Sequence, residues 1–382
     1  MNFGLSESQR ILRDNARKFF SNECGLPEVR RIMETDTSHD ATLYQKMAGQ
    51  GFTGIIFPEQ HGGLGLGNVE MVVLLEEMGR ALVPGPYFSS VCLAGTVIQE
   101  AASEGQKKHY LTPIAEGAKI ATLALAEANG TWHPQSVAME AEGSILDGAK
   151  LFVSDAAVAD FFVVVTKHRG DLALYVVDAK SKGITITAMP SIDQTRKLYH
   201  VQFTNVSGEP LATGSHARAA LHHGMNIAEL ALAAELTGGM QRSMEIAVEY
   251  SKTRKQFGKP IGSYQAVQHQ CADMYFWTEG SRSASLYAGW ALDNKAPDAE
   301  KAVAIAKMYA SDSGREVGNR AIQVHGGMGF TWENECHLFY RRAKANEVML
   351  GDASYHRDRI AAMIIDSVEV SSHTLEEAFA LD

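Results

Sequence analysis

The sequence predicts a mainly α-helical protein with a β domain in its middle. Hydrophobic residues recur with the helical period of 3.6 from Ser6 to about Gly117, with a period of two from about Ala118, and with the helical period again after Gly214. We therefore expect an N-terminal α-helical domain over 1–117, a middle antiparallel β-barrel or sandwich domain over 118–214, and a C-terminal four-helix bundle over 215–382. A length of 382 residues suits two to three domains of roughly 150 residues each.

The N-terminal helices are predicted from apolar spacing. Leu12, Phe19 and Phe20 recur at helical intervals, and the stretch from Val69 to Leu82 places apolar residues on successive turns. Between these runs, residues 57–65 contain proline and several glycines and predict a turn that separates two helices.

The later elements follow from the change of period. Short segments rich in Val, Ile, Phe and Tyr, bounded by Gly, Asp or Asn, predict strands at 120–126, 150–154, 161–166, 172–178, 184–188 and 199–205. Long apolar-periodic runs predict bundle helices at 217–252, 263–293, 297–324 and 353–367.

Charge and composition exclude several classes of protein. The net charge of −10 argues against a nucleic-acid binder, since no basic stripe offsets it. No run approaches the ~20 apolar residues of a membrane span, and the N-terminus lacks the pattern of a signal peptide. The 4 cysteines are scattered without a CxxC, and the 14 histidines form no HxxxH or HExxH array. We therefore expect a cytoplasmic protein without a metal site.

Two segments carry a specific resemblance. One is the run 251–265 with Arg254, Phe257 and Gln265, and the other is the run 323–332 with Gln323, Gly326 and Gly327, followed by 340–344. Together they resemble the two signatures of the acyl-CoA dehydrogenase family. The opening Gly4-Leu5-Ser6-Glu7, the turn at 57–65 and the stretch 76–79 follow in family order, so the resemblance covers essentially the whole chain.

The resemblance implies FAD as cofactor, with these residues reaching a flavin bound mainly by a neighbouring subunit. The Arg254 guanidinium would donate to the pyrophosphate, Phe257 would pack on a ring, and Gln265 would bond an adenosine edge. Gly326 and Gly327, after Gln323, would let backbone N–H groups approach the phosphates. The alternative is that Arg254 is a surface charge and the glycines end a helix.

For the flavin ring, the resemblance implies a strand that ends in an aromatic and a hydroxyl residue, here Phe152 and Ser154, where the family usually has Trp and Thr. Residues 125–132 stand where the family typically has the loop Thr-Glu-Pro-Gly-x-Gly-Ser-Asp; Glu127 is kept and the Gly-Ser-Asp part is lost. A plain strand without a ligand role is the alternative for 150–155.

The catalytic base is the decisive departure. The family removes a weakly acidic α-proton from an acyl-CoA thioester, which needs a desolvated carboxylate. Leu350 occupies the usual Glu position and Ala228 the position that other members use, and neither can take a proton. Glu229 and Glu235 are the candidates nearby, because Glu229 is one residue from Ala228 and Glu235 is on the same helix face.

Three hypotheses remain open. The chain is an FAD-dependent acyl-CoA dehydrogenase whose Glu229 or Glu235 serves as base, or one half of an α2β2 enzyme whose sister chain brings the catalytic Glu, or a non-enzymatic scaffold or binding protein on the same fold. The resemblance implies an acyl-CoA substrate, from fatty acid or steroid side-chain degradation, and electron-transfer flavoprotein as acceptor. We expect a homo-oligomer or an α2β2 hetero-oligomer, with no nucleic-acid or membrane partner.

Overall fold

The computed structural model describes residues 4–366, so Phe3 and the end of the predicted last helical run lie outside the described residues. The helices of the N-terminal part are α1 (Glu7–Glu23), α2 (Leu26–Met33), α3 (Ala41–Gly49), α4 (Asn68–Arg80), α5 (Thr96–Ala101), α6 (Glu104–Gln106) and α7 (Thr112–Ala115). Helix α1 begins at a capping box, in which Ser6 caps the backbone of Gln9 and the Gln9 side chain returns the bond. A π-helical segment, Phe88–Gly95, precedes α5.

The middle region contains the strands β1 (Ala121–Ala124), β2 (Ala141–Glu142), β3 (Ile145–Ser154), β4 (Phe161–His168), β5 (Asp171–Asp178), β6 (Ile184–Met189), β7 (Leu198–Ser207) and β8 (Glu209–Thr213). They form two sheets with the orders β1-β4-β5-β8 and β2-β3-β7-β6. Every pair is antiparallel except β1 with β4, which is parallel.

Strand β4 shows how the sheets are layered. Phe161 and Val163 join the large core shared with the helices, whereas Phe162 and Val164 join the core between the two sheets. Because alternate side chains point to opposite faces, a strand covered on both sides reads as a continuous apolar run. The β domain is therefore a sandwich with one sheet also packed on the helices.

The C-terminal part contains α8 (Gly214–Thr253), the hairpin strands β9 (Lys255–Gln256) and β10 (Lys259–Pro260), α9 (Gln265–Asp293), α10 (Ala299–His325), α11 (Cys336–Val348) and α12 (Ala353–Ala361). Helix α8 crosses α4 closely at Gly79 and Gly238. A Cβ at Gly79 would lie 2.1 Å from the Glu235 carbonyl oxygen, and one at Gly238 would lie 1.8 Å from that of Glu76. Only glycine allows this approach.

The predicted fold class, helical domains on either side of a β domain, is confirmed. The structure differs in the last helices: α11 is not among the predicted elements, and the predicted run 353–367 is a short α12 followed by a π-helical turn, Ala362–Asp366. Helix α11 escapes prediction because arginine, lysine and glutamate interrupt its apolar pattern. The domain boundaries at 117/118 and 214/215 stay a prediction. None of the helices within residues 4–366 is long and apolar enough to cross a membrane.

Candidate active site

A cavity of about 360 Å³, here called cavity A, lies where the β domain meets α11. Trp132 and Phe152 form its aromatic wall, with ring centroids 6.4 Å apart. Arg196 lies on the β-domain side, and Asn346 and Met349 on the helical side. A mostly apolar cavity with a few polar groups is the ordinary form of a site for a small molecule or cofactor.

Phe152 enters cavity A because strand β3 is irregular there. Its φ of +54° is in the left-handed region, and the register between β3 and β7 shifts between Lys150 and Val153. A bulge turns the side chain in a new direction. The positive φ itself costs conformational energy in a residue other than glycine. Ser154, two residues on, is buried and does not line cavity A. Of the two predicted ring contacts, Phe152 therefore lines cavity A and Ser154 does not.

Beneath cavity A lies a buried ion pair. Arg196 Nη2 donates to both carboxylate oxygens of Glu235, at 2.9 and 3.0 Å, and Arg196 Nη1 donates to Asn346 Oδ1 at 3.1 Å. Asn346 Nδ2 in turn donates to Glu235 Oε2 at 3.0 Å. The guanidinium also lies 4.7 Å from the ring centroid of Phe88. The β domain, α8 and α11 are therefore joined at this point.

Arg342 of α11 extends this network. Its Nε donates to Asp193 Oδ2 at 2.6 Å and its Nη1 to Glu235 Oε1 at 3.4 Å. Its Nη2 donates to the Val83 carbonyl oxygen at 3.3 Å and also contacts Thr195 Oγ1. The charged side chains are all buried, so the charges are compensated by one another rather than by water.

Asp155 stands at the edge of the same network. Its Oδ2 accepts a hydrogen bond from Ser89 Oγ at 2.7 Å, and its Oδ1 has no hydrogen-bond partner within residues 4–366. Burial, only partly offset by Arg196, raises the pKa of Asp155 to about 6. This carboxyl group is the member of the network that is least well compensated.

The network bears on the predicted role of Glu235. A general base needs a carboxylate whose proton-accepting oxygen faces the substrate. Both oxygens of Glu235 already accept hydrogen bonds from Arg196, and Arg342 and Asn346 add others. The structure does not support Glu235 as a base, because its carboxylate is part of a structural ion pair.

A second cavity of about 510 Å³, here called cavity B, lies between the start of α8 and α12. Glu229 borders it, together with His222, Tyr355 and Arg359, and His133 closes it from the β domain. Arg359 Nη1 donates to both Glu229 oxygens, at 2.8 and 2.7 Å. Burial raises the pKa of Glu229 despite this pairing. Of the two predicted candidates, Glu229 is thus the one that reaches a sizeable cavity.

The two family base positions are apolar and closed. Leu350 and Ala228 are both buried in the large core. Leu350 has a φ of +57°, and the buried Lys307 Nζ donates to the carbonyl oxygens of Glu347 and Gly351 on either side of it, at 3.0 and 2.9 Å. Leu350 therefore lies in a left-handed turn held by Lys307, and its side chain cannot take a proton.

The residues predicted to hold the adenosine and pyrophosphate form one exposed surface, here called the half-site surface. Arg254 ends α8, Gln265 begins α9, and Gln323 lies in the last turn of α10. Tyr250 stacks on His325 with centroids 4.5 Å apart, which joins the ends of α8 and α10. The half-site surface comprises Arg254, Phe257, Gln265, Gln323, Gly326 and Gly327, all exposed.

Phe257 is at the tip of the β9–β10 hairpin and is 91% exposed. Phe257 and Gly258 have φ of +54° and +82°. Positive φ at both central residues is the mark of a two-residue type I′ turn, in which the first position favours Asn, Asp or Gly over Phe. An aromatic residue held in this strained, fully hydrated position indicates a ligand or partner outside the chain.

The fit of FAD can be tested on the glycines and on cavity A. Gly326 ends α10 with a φ of +59°, a left-handed conformation that favours glycine. A Cβ added at Gly326 or Gly327 would meet none of the described residues within 4 Å, so there is open space beside this helix end for a ligand's phosphates. Cavity A offers the aromatic wall and polar side that a flavin ring needs. The residues present fit FAD.

Glu127 fixes the loop between β1 and β2 through hydrogen bonds. Its carboxylate accepts from the backbone N–H groups of Ala138 and Met139 at 2.7 and 3.1 Å, and from Lys150 Nζ at 2.7 Å. Lys150 is fully buried, and burial lowers its pKa to about 8 although Glu127 opposes the shift. The one matching residue of the family loop thus fixes the shape of that loop.

Sequence reasoning misses Trp132 as a cavity residue and the roles of Arg196, Arg342 and Asn346. Arg342 stands out in the sequence only as part of a family motif, and Arg196 follows a loop with no recognisable pattern. Their partners lie far away along the chain, so no local signal could have joined them. Within residues 4–366 no group of three or more His, Cys, Asp or Glu side chains could hold a metal ion.

Comparison with known proteins gives two family-model matches. The model described as Acyl-CoA dehydrogenase, N-terminal domain, matches residues 6–118. The model described as Acyl-CoA dehydrogenase, C-terminal domain, matches residues 218–365. The chain is also similar to the acyl-CoA dehydrogenase IpdE2 of Mycobacterium tuberculosis, at 30% identity over 354 residues, which cover 90% of this chain and 93% of the relative.

Solved structures are similar over nearly the full length. One is the ChsE4-ChsE5 complex from Mycobacterium tuberculosis, with a TM-score of 0.88 and 26% identity, covering 96% of this chain and 100% of that one. Another was solved as an electron transferring flavoprotein of Acidaminococcus fermentans, with a TM-score of 0.86 and 26% identity over the same shares of the two chains.

Proposed function

The chain belongs to the acyl-CoA dehydrogenase family, and from that premise we propose that it is the base-lacking subunit of a paired dehydrogenase, whose half-site surface completes the FAD site of a sister chain. The general activity is that of an FAD-dependent oxidoreductase acting on an acyl-CoA thioester. The finer assignment concerns which chain supplies which part of the active site.

One observation carries the proposal: the chain keeps the surface that serves a neighbour and lacks the groups that serve itself. Arg254, Phe257, Gly326 and Gly327 are exposed, and a Cβ at either glycine would meet none of the residues 4–366 within 4 Å. In contrast, Leu350 and Ala228 are buried apolar residues at both places where the family carries its base. A subunit that contributes contacts to a partner's FAD, but no catalytic base, would keep the exposed half-site residues and lose the carboxylate.

The proposed roles follow from the chemistry of each group. Arg254 would donate a forked, charge-assisted pair of hydrogen bonds to the pyrophosphate, and Gly326 and Gly327 would admit it to their backbone N–H groups. Phe257 and Gln265 would orient the adenosine. FAD, when bound, supplies the ring that accepts the hydride from the thioester β-carbon. The ring of that FAD would lie in the sister chain, and Phe152 with cavity A marks the matching ring pocket of this chain.

Partners follow from the same proposal. A sister chain carrying a catalytic Glu would form an α2β2 assembly, and the similarity to the ChsE4-ChsE5 complex, which is named for two different chains, supports this architecture. We propose electron-transfer flavoprotein as the electron acceptor, with support from the similarity to a chain solved as an electron transferring flavoprotein. We further propose the cytoplasm as the place of action and a fatty or steroid side-chain thioester as the substrate.

The test is a flavin-retention measurement on the co-expressed pair. Arg254→Ala removes charge-assisted hydrogen bonds worth roughly 1.5–3 kcal/mol each, so FAD affinity should fall at least tenfold while the fold persists. Lys252→Ala is the matched control, because Lys252 is an exposed cation two residues away that pairs with Glu249. Full flavin occupancy in the Arg254→Ala pair after gel filtration would refute the assignment of the half-site.

A second candidate, a self-sufficient dehydrogenase with Glu229 as base, is favoured by the position of Glu229 at cavity B and by its raised pKa, and it requires that Arg359 release a Glu229 oxygen. In that case the isolated chain turns over an acyl-CoA, and Glu229→Gln abolishes turnover with flavin retained. Glu235→Gln, which perturbs the ion pair with Arg196, then lowers stability without being specific to catalysis. Absence of turnover by the isolated chain would remove this candidate.

A further inference from the structure

Two arginines lie beside a half-exposed tryptophan just before α11. The guanidiniums of Arg30 and Arg341 are 5.6 and 5.7 Å from the ring centroid of Trp332, whose exposed fraction is 46%. Arg30 belongs to α2 and Arg341 to α11, so the contact joins two distant parts of the chain. A cation near the face of an indole ring is attracted to it, which holds both guanidiniums in place. We name Arg30, Trp332 and Arg341 the Trp332 cluster.

Both arginines of the Trp332 cluster lack a charged partner among residues 4–366, in which no carboxylate oxygen lies within 4.0 Å of either guanidinium. Arg30 Nη2 donates to the Asn334 carbonyl oxygen at 3.2 Å, and Arg341 Nη1 lies 3.5 Å from the Ile192 carbonyl oxygen. The adjacent Arg31, by contrast, pairs with two carboxylates. A guanidinium has five N–H donors, so most of the donors in the cluster remain available to another molecule.

The Trp332 cluster is adjacent to both the half-site surface and cavity A. Trp332 follows the segment Gly326–Phe330, which contains the two half-site glycines, by two residues. Ile192, whose carbonyl oxygen is next to Arg341, lines cavity A. Ala345, one helical turn after Arg341, lines cavity A as well.

Both of these neighbouring sites face the sister chain in the proposed pair. The half-site surface meets the sister's FAD. Since two chains of one fold pair about an approximate twofold axis, the sister's corresponding surface meets cavity A of this chain. A cluster adjacent to both sites therefore belongs to the same interface, where the sister chain covers it.

The chemistry of the Trp332 cluster favours a carboxylate as the group that covers it. A guanidinium binds a carboxylate through two parallel, charge-assisted hydrogen bonds. Trp and Arg are also the residues in which the binding energy of protein interfaces is concentrated. Acidic residues outnumber basic ones by 45 to 35 in this chain, yet residues 4–366 supply no carboxylate to the cluster.

We infer that the Trp332 cluster binds a carboxylate side chain of the sister chain and thereby stabilises the pair. The inference rests on the proposed function, which supplies the sister chain, and it adds residues that recognise that chain itself rather than its FAD. Arg30 and Arg341 thus have a different role from Arg254, whose proposed partner is the FAD pyrophosphate.

A cross-linking experiment on the co-expressed pair tests for this carboxylate. Arg341→Lys keeps the positive charge and adds a primary amine, which a water-soluble carbodiimide couples to a carboxylate in direct contact. Arg169→Lys is the matched control, because Arg169 is exposed in the turn between β4 and β5. We expect mass spectrometry to find a cross-link from position 341 to an Asp or Glu of the sister chain, and none to the sister chain from position 169.

The affinity of the pair is the second measurement. The double variant Arg30→Gln/Arg341→Gln removes both charges and leaves the half-site surface unchanged. Because charge-assisted hydrogen bonds are lost, the Kd of the pair, measured by sedimentation over a dilution series, should rise by about tenfold or more. Arg169→Gln should leave the Kd unchanged. The FAD content of each intact pair should stay that of the wild type.

A cross-link from position 341 to this chain itself, or to no carboxylate at all, would overturn the inference. So would an unchanged Kd of the pair in the double variant. If the double variant does not fold, as judged by circular dichroism, Arg341→Gln alone is measured in its place. Failure of the proposed function is seen separately, as full FAD occupancy in the Arg254→Ala pair.

Discussion

Replacing Arg342 by methionine tests how much the buried network beneath cavity A stabilises the fold. Methionine fills much of the same space but cannot donate a hydrogen bond. The change removes the contacts of Arg342 with Asp193 and Glu235 and its bond to the Val83 carbonyl oxygen. Glu235 keeps Arg196 and Asn346 as partners. Asp193 keeps the N–H and hydroxyl of Thr195, which carry no charge.

The magnitude follows from what is left behind. Removing one partner of a buried ion pair typically costs about 3–5 kcal/mol, because the remaining charge stays buried without compensation. Asp193 and Glu235 are both almost fully buried, at 2% and 3% exposure, so water cannot replace the guanidinium. We therefore expect Arg342→Met to lower the free energy of unfolding by about 4 kcal/mol.

Urea unfolding followed by circular dichroism measures this change. Arg218→Met is the matched control, because Arg218 pairs with Asp171 on the surface, where both side chains are more than half exposed. Exposed pairs contribute about 0–1 kcal/mol, so the control should unfold close to the wild type. A loss below about 1 kcal/mol in Arg342→Met, similar to that of the control, would refute the reasoning.

Two further predictions concern single carboxyl groups. Asp155→Asn should stabilise the protein at pH 7 by up to roughly 3 kcal/mol, since about two pK units correspond to that energy, and Ser89 can still donate to the amide oxygen. The folded pKa of Asp155, about 6, is above the ordinary 3.8, so the stability of the wild type falls as the pH rises from about 4 to 6. Thermal unfolding across this range should show that fall in the wild type and not in Asp155→Asn. The same pH dependence in both proteins would contradict the prediction. Leu350→Glu places a carboxylate in the closed core, so we expect lower stability and no gain of dehydrogenase activity in the isolated chain; robust turnover by this variant would contradict the closed geometry.

The half-site surface could be predicted from sequence because its chemistry lies in two short, contiguous motifs. Arg254, Phe257 and Gln265 occur within one turn and the start of one helix, and Gln323, Gly326 and Gly327 surround one helix end. The fold adds that the two motifs meet at one end of the bundle. The exposure of the set and the strain at Phe257 could not be read from the residue types.

The network beneath cavity A could not be predicted, because its members come from distant segments. Arg342 and Asp193 are 149 residues apart, and Arg196 and Glu235 are 39 apart. Spacing on the helix alone therefore suggests Glu235 as a candidate base, although its partners make it structural. Trp132 similarly stands out in the sequence only as part of an altered loop, whereas its place in cavity A depends on the distant Phe152.

The proposed pairing of two chains is tested most directly by the mass of the intact native complex together with its flavin content. If this chain completes the flavin site of a base-carrying sister, the complex purified from the native source contains two different chains and one FAD for each pair of them. A homotetramer of this chain with one FAD per chain would contradict the proposal.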